Sequence, residues 1–332
     1  MISDVEVNRE IGAYFSANDR VYDWAIAFLN SFRAFNPTLK LFLIPFNEEC
    51  DRLLTLQDTY QFEIYTDASF DRLEAIGQAF ELGHTPTGPH WFRRYSVFWG
   101  PCDRFIYLDA RQLVLANLKA AISALDDFSF DLLHFDCDID QVYEPGELKR
   151  NLLHRQKARG FNSGRWIARK GLFTLEELEQ LAAEALTVRD QLNKRNTDQA
   201  FINYCCDMKP VHYRHIADLL GNSCHNSWAS QPGHVYQTCG TFRRWHYGGQ
   251  NHRKQLLILH WAGRKKSAIM PERSLWRKFF LEKRSWLEKT RTLLSDVFLW
   301  FPLAVWQAAR KNRKINTLYH FLNLGLKENN TD

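Results

Sequence analysis

A run of apolar residues at positions 11–16 reads as a strand, and after the polar turn Asn18-Asp19-Arg20 apolar residues recur at helical spacing over 21–35, at Tyr22, Ala25, Ile26, Leu29 and Phe32. Positions 39–45 are apolar apart from Lys40 and predict a second strand. Strand, helix, strand with short connections is the repeating unit of a parallel sheet. The pattern goes on to predict a strand at 62–65, a helix at 70–82, a loop at 83–89 with two Pro and two Gly, a helix at 91–99 and a strand at 104–108. A helix at 115–125, a strand at 130–136, a loop at 136–147 and a strand at 161–168 follow. A helix over 174–186 opens on the capping pattern Thr174-Leu175-Glu176-Glu177. Another helix is seeded at Thr197-Asp198-Gln199, and late strands are expected at 211–216 and 255–260. From Pro271 the chain reads as helical, basic and aromatic, with Trp276, Phe279, Phe280, Trp286, Leu287, Leu293 and Leu294 compatible with one face. The expected architecture is therefore α/β over 1–270, a mainly parallel sheet with flanking helices, plus a helical extension over 271–332.

Composition adds three constraints. With 332 residues, 45% hydrophobic and 24% charged, the chain can bury a large core. Lys and Arg total 43 against 38 Asp and Glu, but positions 264–314 alone hold 14 basic and 4 acidic residues, +10, which leaves −5 on the rest. A basic, aromatic tail on a mildly acidic body points to phosphate groups or an anionic membrane surface rather than to nucleic acid, for which no recognition motif occurs. Seven Cys, with no Cys-x-x-Cys pair, fit buried thiols in a reducing compartment; Cys137, Cys224 and Cys239 lack the spacing of a zinc site. Residues 1–10 have no apolar core of a secretory signal. The longest apolar run, 297–306, contains Pro302 and falls short of the roughly 20 residues a membrane-spanning helix needs. A cytoplasmic location is expected, with the C-terminal helices able to lie on the cytoplasmic face of a membrane.

Candidate chemistry centres on the strand ending at Asp109. It delivers a carboxylate to the exposed end of a strand, where an open α/β sheet keeps its ligands. The next residues are Ala110 and Arg111, whose guanidinium can bind a phosphate. Asn18 and Asp19, at the end of the first strand, can read a base or ribose, or cap the following helix. Asp136-Cys137-Asp138 is a second pair of carboxylates at a strand end. In Phe161-Asn162-Ser163-Gly164, Asn162 can donate and accept to hydroxyls, and Gly164 lets backbone approach a ligand closely. Asp198 is either a ligand-binding carboxylate or a first-turn acid favoured by the helix dipole. His260, in Leu259-His260-Trp261-Ala262-Gly263-Arg264-Lys265-Lys266, is a metal-ligand type, and Lys265 and Lys266 are point charges for a phosphate. The segment with His225, Trp228, His234, Tyr236, Trp245, His246 and Tyr247, with Gly233, Gly248 and Gly249, offers ring faces for a sugar or for packing.

In this order, the motifs around Asn18-Asp19, Asp109, Phe161-Asn162-Ser163-Gly164, Asp198-Gln199 and His260 to Lys266 resemble the GT-A glycosyltransferases, in particular the retaining clan typified by family 8 and glycogenin, over residues 11–266. The resemblance implies a GT-A fold and transfer of a sugar from a nucleotide-diphospho-sugar, of the UDP-sugar type, to a glycan, lipid or protein acceptor, with retention, as in polysaccharide biosynthesis. Asn18 and Asp19 would face the nucleotide. Arg93, Arg94, Arg111, Lys265 and Lys266 would face the diphosphate, and Asn162, Gly164, Asp198 and Gln199 the sugar, with Asp198 and Gln199 as the catalytic pair. Asp109 and His260 would hold a divalent ion, manganese or magnesium. The family pattern is Asp-x-Asp, so Arg111 stands in place of the second carboxylate. Either the ion or the Arg111 guanidinium would neutralise the leaving group, and a catalytically silent relative that binds a nucleotide sugar or glycan as an assembly subunit is the alternative.

Overall fold

The first strand, β1 (Ile11–Ala17), is buried along almost its whole length and divides its side chains between two cores. Ala13, Phe15 and Ala17 meet Phe28, Leu29 and Phe32 of helix α1 (Tyr22–Phe35), whereas Tyr14 joins Phe42, Phe98 and Phe105 on the other side. Strands covered on both faces carry continuous apolar runs, which is why this part of the chain is readable from sequence.

The computed structural model describes residues 10–80, 88–136, 138–155, 159–195, 198–209, 211–223, 227–231, 233–245, 254–263 and 270–295. Thr197, Cys137, Cys224, His225, His246, Tyr247, Gly248, Gly249, Lys265, Lys266, positions 83–87 of the expected loop and everything from 296 lie outside these residues. Two compact units are present, Met1–Ala262 and Gly263–Asp332.

In chain order the first unit continues with β2 (Lys40–Pro45), α2 (Asp51–Leu54), α3 (Gln57–Tyr60), β3 (Glu63–Ile64), α4 (Phe70–Ala79), a 3-10 helix (Pro89–Trp99), β4 (Arg104–Asp109), β5 (Gln112–Val114), α5 (Lys119–Asp127) and β6 (Leu132–His134). After these come α6 (Glu147–Arg155), β7 (Arg165–Arg169), α7 (Leu175–Thr187), α8 (Gln199–Met208), β8 (Tyr213–His215), α9 (Ile216–Leu219), β9 (His234–Thr238), β10 (Thr241–Trp245) and β11 (Ile258–His260). Seven strands form one sheet in the order β3-β2-β1-β4-β7-β6-β8. Only β7 runs against its neighbours β4 and β6; the other neighbouring pairs in this sheet are parallel. The expected mixed, mainly parallel sheet with flanking helices is what forms.

Register gathers the chemistry at one edge. Ser16 lies opposite Asp109 and Ala17 opposite Pro45, so Asn18, Phe46 and Ala110 leave the sheet side by side. Because β7 is antiparallel, it starts at that same edge, with Arg165 opposite Leu108. A separate antiparallel pair, β5 with β11, sets His260 opposite Gln112, just past Arg111.

Several elements differ from expectation for identifiable reasons. The helix over 91–99 is wound as a 3-10 helix with Pro89 in its first turn. Residues 112–114 are taken by β5, so the helix expected at 115–125 starts only at Lys119. The strand expected at 161–168 starts at Arg165, because Asn203 binds the backbone of Phe161 through both N–H and C=O, and Asn162 Oδ1 accepts from the Gly164 N–H at 3.1 Å. Such side-chain bonds compete with a strand ladder. An unforeseen hairpin joins β9 and β10 through Cys239 and Gly240, both at positive φ, 48° and 75°.

In the second unit, α10 (Arg273–Leu281) buries Trp276, Phe279 and Phe280, with the Trp276 and Phe280 rings stacked 4.7 Å apart. The next helix, α11 (Trp286–Ser295), exposes Trp286, Leu287, Leu293 and Leu294, so the face expected to be continuous is divided between two helices. Among the described residues, no helix is long and apolar enough to cross a membrane.

Candidate functional site

Arg94 is the hub of the sheet edge. Its guanidinium is fully buried between Trp91 and Tyr107, 4.7 and 4.9 Å from the ring centroids. Nη2 lies 3.4 Å from Asp109 Oδ1 and Nε 3.4 Å from Asp198 Oδ2, while Nη1 donates to the Ser163 carbonyl at 2.8 Å. Burial alone would lower its proton affinity; the charges of Asp198 and Asp109 outweigh that and hold it charged. Two carboxylates from distant parts of the chain thus share one cation.

Asp198 is completely buried at the start of α8. Its Oδ2 accepts from Tyr95 Oη at 2.5 Å and its Oδ1 from Ser163 Oγ at 3.3 Å. Burial and then the Asp198 charge push the Tyr95 phenol far upward, so it stays a proton donor. Gln199 Oε1 accepts from Asn162 Nδ2 at 2.7 Å, and its own amide donates to the Gln141 carbonyl at 3.3 Å. The residues expected on the sugar, Asn162, Gly164, Asp198 and Gln199, are therefore in mutual contact or one residue removed from it. Asn162 is half-buried, whereas Asp198 and Gln199 lie beneath it.

Asp109 keeps part of its carboxylate open, with 19% of the side chain exposed. Tyr107 Oη donates to its Oδ1 at 3.0 Å, and its backbone N–H donates to the Gly164 carbonyl at 2.8 Å. Arg111 is half-buried nearby and forms neither a side-chain hydrogen bond nor an ion pair with another described residue. Burial lowers its proton affinity and the Asp109 charge partly restores it.

Three expected nucleotide contacts are engaged by the protein itself. Asn18 Nδ2 donates to Asn47 Oδ1 at 3.1 Å, which ties the ends of β1 and β2 together. The Asp19 carboxylate accepts from the Arg52 and Leu53 N–H groups, both at 3.0 Å, and so caps α2. Arg93 is clamped by Glu74, by Glu48 at 2.7 Å and by the Pro45 carbonyl at 3.1 Å. It also lines, with Asn47, Glu48, Asp67 and Phe70, an open cleft of about 370 Å³ beyond the end of β2.

His260 and Asp136 are joined through Arg165. This side chain is fully buried; its Nη1 donates to His260 Nδ1, its Nη2 to Asp136 Oδ2, and its guanidinium lies 4.6 Å from the Trp228 ring centroid. His260 stacks on the same indole at 5.2 Å. Asp136 also accepts from the Ser227 hydroxyl at 3.1 Å and the Ser227 N–H at 3.3 Å. Asp138 instead caps a short 3-10 turn by accepting from the Asp140 N–H.

Tyr95, Tyr107, Ser163 and Arg165 escaped the sequence reading. Tyr107 carried a signal, since strand alternation puts it on the same face as Asp109. Arg165 follows Gly164 directly, but nothing local marks it as buried.

No model of a known protein family matches the sequence, and no curated protein matches it. Solved structures do. The bifunctional glycosyltransferase WbbM superposes with a TM-score of 0.52 at 12% identity over 86% of this chain, which spans about half of that one, 52%. The galactosyltransferase LgtC, in complex with donor and acceptor sugar analogs, gives 0.52 at 10% identity over 82% of this chain and 96% of its own. An active-site mutant of LgtC gives 0.52 at 12% identity over 82% and 94%. The strand order, the single reversed strand and these superpositions together give the chain the GT-A fold of nucleotide-diphospho-sugar transferases.

Proposed function

We propose that the protein is a glycosyltransferase that moves a sugar from a nucleotide-diphospho-sugar to a glycan, lipid or protein acceptor. The observation that carries this reading is the meeting of Asp109, Asp198 and the Asn162 to Gly164 turn around Arg94 at the carboxyl edge of the sheet. Ligands of open α/β sheets bind at that edge. Transfer leaves negative charge on the departing diphosphate, which needs a fixed cation beside it. Arg111 supplies it on this reading; Lys265 and Lys266, outside the described residues, are phosphate candidates on the motif resemblance alone. Asp109 and Asn162 take sugar hydroxyls, while Asp198 and Gln199 hold Arg94 and Asn162 in place from below. The nucleoside lies along Asn18, Asn47 and the cleft beside Arg93. A UDP-sugar donor and retention at the anomeric carbon complete the reading on the motif resemblance alone. The aromatic hairpin of β9 and β10, where the His234 and Trp245 rings are 5.3 Å apart, is the proposed acceptor platform. The exposed apolar residues of α11 would bring the enzyme to a lipid surface.

The complete burial of Asp198 favours a second reading, a silent relative that binds the donor without turning it over. Nucleoside-diphosphate release from UDP- and GDP-sugars, with calorimetry of UDP and GDP, separates the two. Release that disappears in Asp109→Asn supports the transferase, binding without release supports the silent relative, and no binding rejects both.

A further inference from the structure

The resemblance assigns a divalent ion to Asp109 and His260, and the residues present do not fit one. A neutral imidazole has a single lone pair. On His260 it belongs to Nδ1, and it is committed to the Arg165 guanidinium, which can only donate. The remaining nitrogen, Nε2, therefore carries the proton and cannot ligate. Asp136, the other carboxylate at this end of the sheet, has both oxygens engaged, by Arg165 and by Ser227. Asp109 already receives Tyr107 and Arg94 on Oδ1. No three His, Cys, Asp or Glu side chains converge on a common point among the described residues.

We infer that the Arg165 guanidinium stands in the place of the divalent ion, as a cation built into the chain, and that the site takes a nucleoside diphosphate without metal. Arg165 takes His260, one of the two residues assigned to the ion, together with Asp136, and so leaves Asp109 without its imidazole partner. It does so from full burial, locked by two hydrogen-bonded partners and the Trp228 ring. Asp109 adds to the negative charge that Arg165 feels, so the guanidinium lies within the electrostatic reach of the open site. Being inaccessible, Arg165 does not touch a ligand. It removes the ligands a metal would use and leaves Arg111 as the cation open to phosphate oxygens.

The metal part of this inference stands on the protein alone; the nucleotide part rests on the proposed function. Mn²⁺ titration of the full chain, followed by electron paramagnetic resonance, should show no stoichiometric binding, and UDP and GDP affinities by calorimetry should agree within about twofold between EDTA and Mn²⁺. A stoichiometric Mn²⁺ site, or affinity that rises about tenfold or more with Mn²⁺, overturns the inference. Failure of either nucleotide to bind under all conditions removes the proposed function, yet the titration of the protein alone still decides the metal question. In Arg165→Ala, the freed Asp136 and His260 should take up Mn²⁺; a variant folded by circular dichroism that takes up none overturns the assignment of that place to Arg165. If that variant does not fold, the wild-type titration decides.

Discussion

Asp109 occupies the space that a side chain on Gly164 would need: a Cβ built on Gly164 falls 2.4 Å from Asp109 Oδ2 and 3.0 Å from Asn162 Oδ1. The glycine is thus required by the carboxylate facing it, across the same backbone pair in which the Asp109 N–H binds the Gly164 carbonyl. Gly164→Ala is expected to push Asp109 out of position at an overpacking cost of about 1–3 kcal/mol. A misplacement of about 1 Å at that carboxylate is expected to lower turnover by about a hundredfold. Donor hydrolysis measured beside a melting curve checks this, and unchanged turnover would show that the position of Asp109 does not matter to the reaction.

The shared cation gives a second test. Asp198→Ala leaves a fully buried Arg94 with Asp109 as its remaining carboxylate at 3.4 Å. Breaking one side of a buried pair costs about 3–5 kcal/mol. Asp198→Asn keeps the shape and an acceptor for Tyr95, so it should lose markedly less stability while losing transfer to a similar extent. Denaturant unfolding and donor turnover on both variants separate the structural part of the role of Asp198 from the chemical part.

Asp207 predicts a pH dependence. It is buried between Tyr143 and Tyr213, whose hydroxyls each donate at 2.6 Å, and burial pushes its carboxyl up to about 6 despite those bonds. An unfolded Asp titrates near about 3.9, so the folded protein holds the proton more tightly. The resulting stability is fully present below about pH 4 and is lost as pH rises through about 6, by about 3 kcal/mol at most. Asp207→Asn cannot titrate, so the difference between wild type and variant should change over that window and be flat above it. Unfolding curves at several pH values read this directly; a difference that does not vary between pH 4 and 6 would remove Asp207 as the source.

Much of the fold was legible because β1, β2 and β4 are covered on both faces and so carry long apolar runs. Asp109 was legible for a related reason, being the first polar residue after such a run. Arg94 shows where legibility stops. An arginine inside Phe92-Arg93-Arg94-Tyr95 reads as a solvated or ligand-facing cation, and only Asp109 and Asp198, converging on it from β4 and the start of α8, make burial tolerable. Asp19 illustrates the same limit at short range. Its partners are the first turn of α2, a helix of four residues that no periodicity can announce. The turn at Phe161 to Gly164 read as strand because its apolar start matched one, while the Asn203 side chain that pulls it out of the ladder comes from another helix.

The reversed strand has a consequence for how the molecule is made. By the time Asp109 has been synthesised, β3, β2, β1 and β4 are all present and can pair in an unbroken row, whereas β6 has no neighbour until β7 is made and gains its second only with β8. Biogenesis is therefore divided into an early half wired by local crossovers and a late half closed by distant chain, and closure of long-range pairs is the slow step in such topologies. The candidate site straddles that seam, with Asp109 on the early side and Gly164, Arg165 and Asp198 on the late one, so a nascent chain arrested after Asp109 would hold four of the seven strands and only one side of that site.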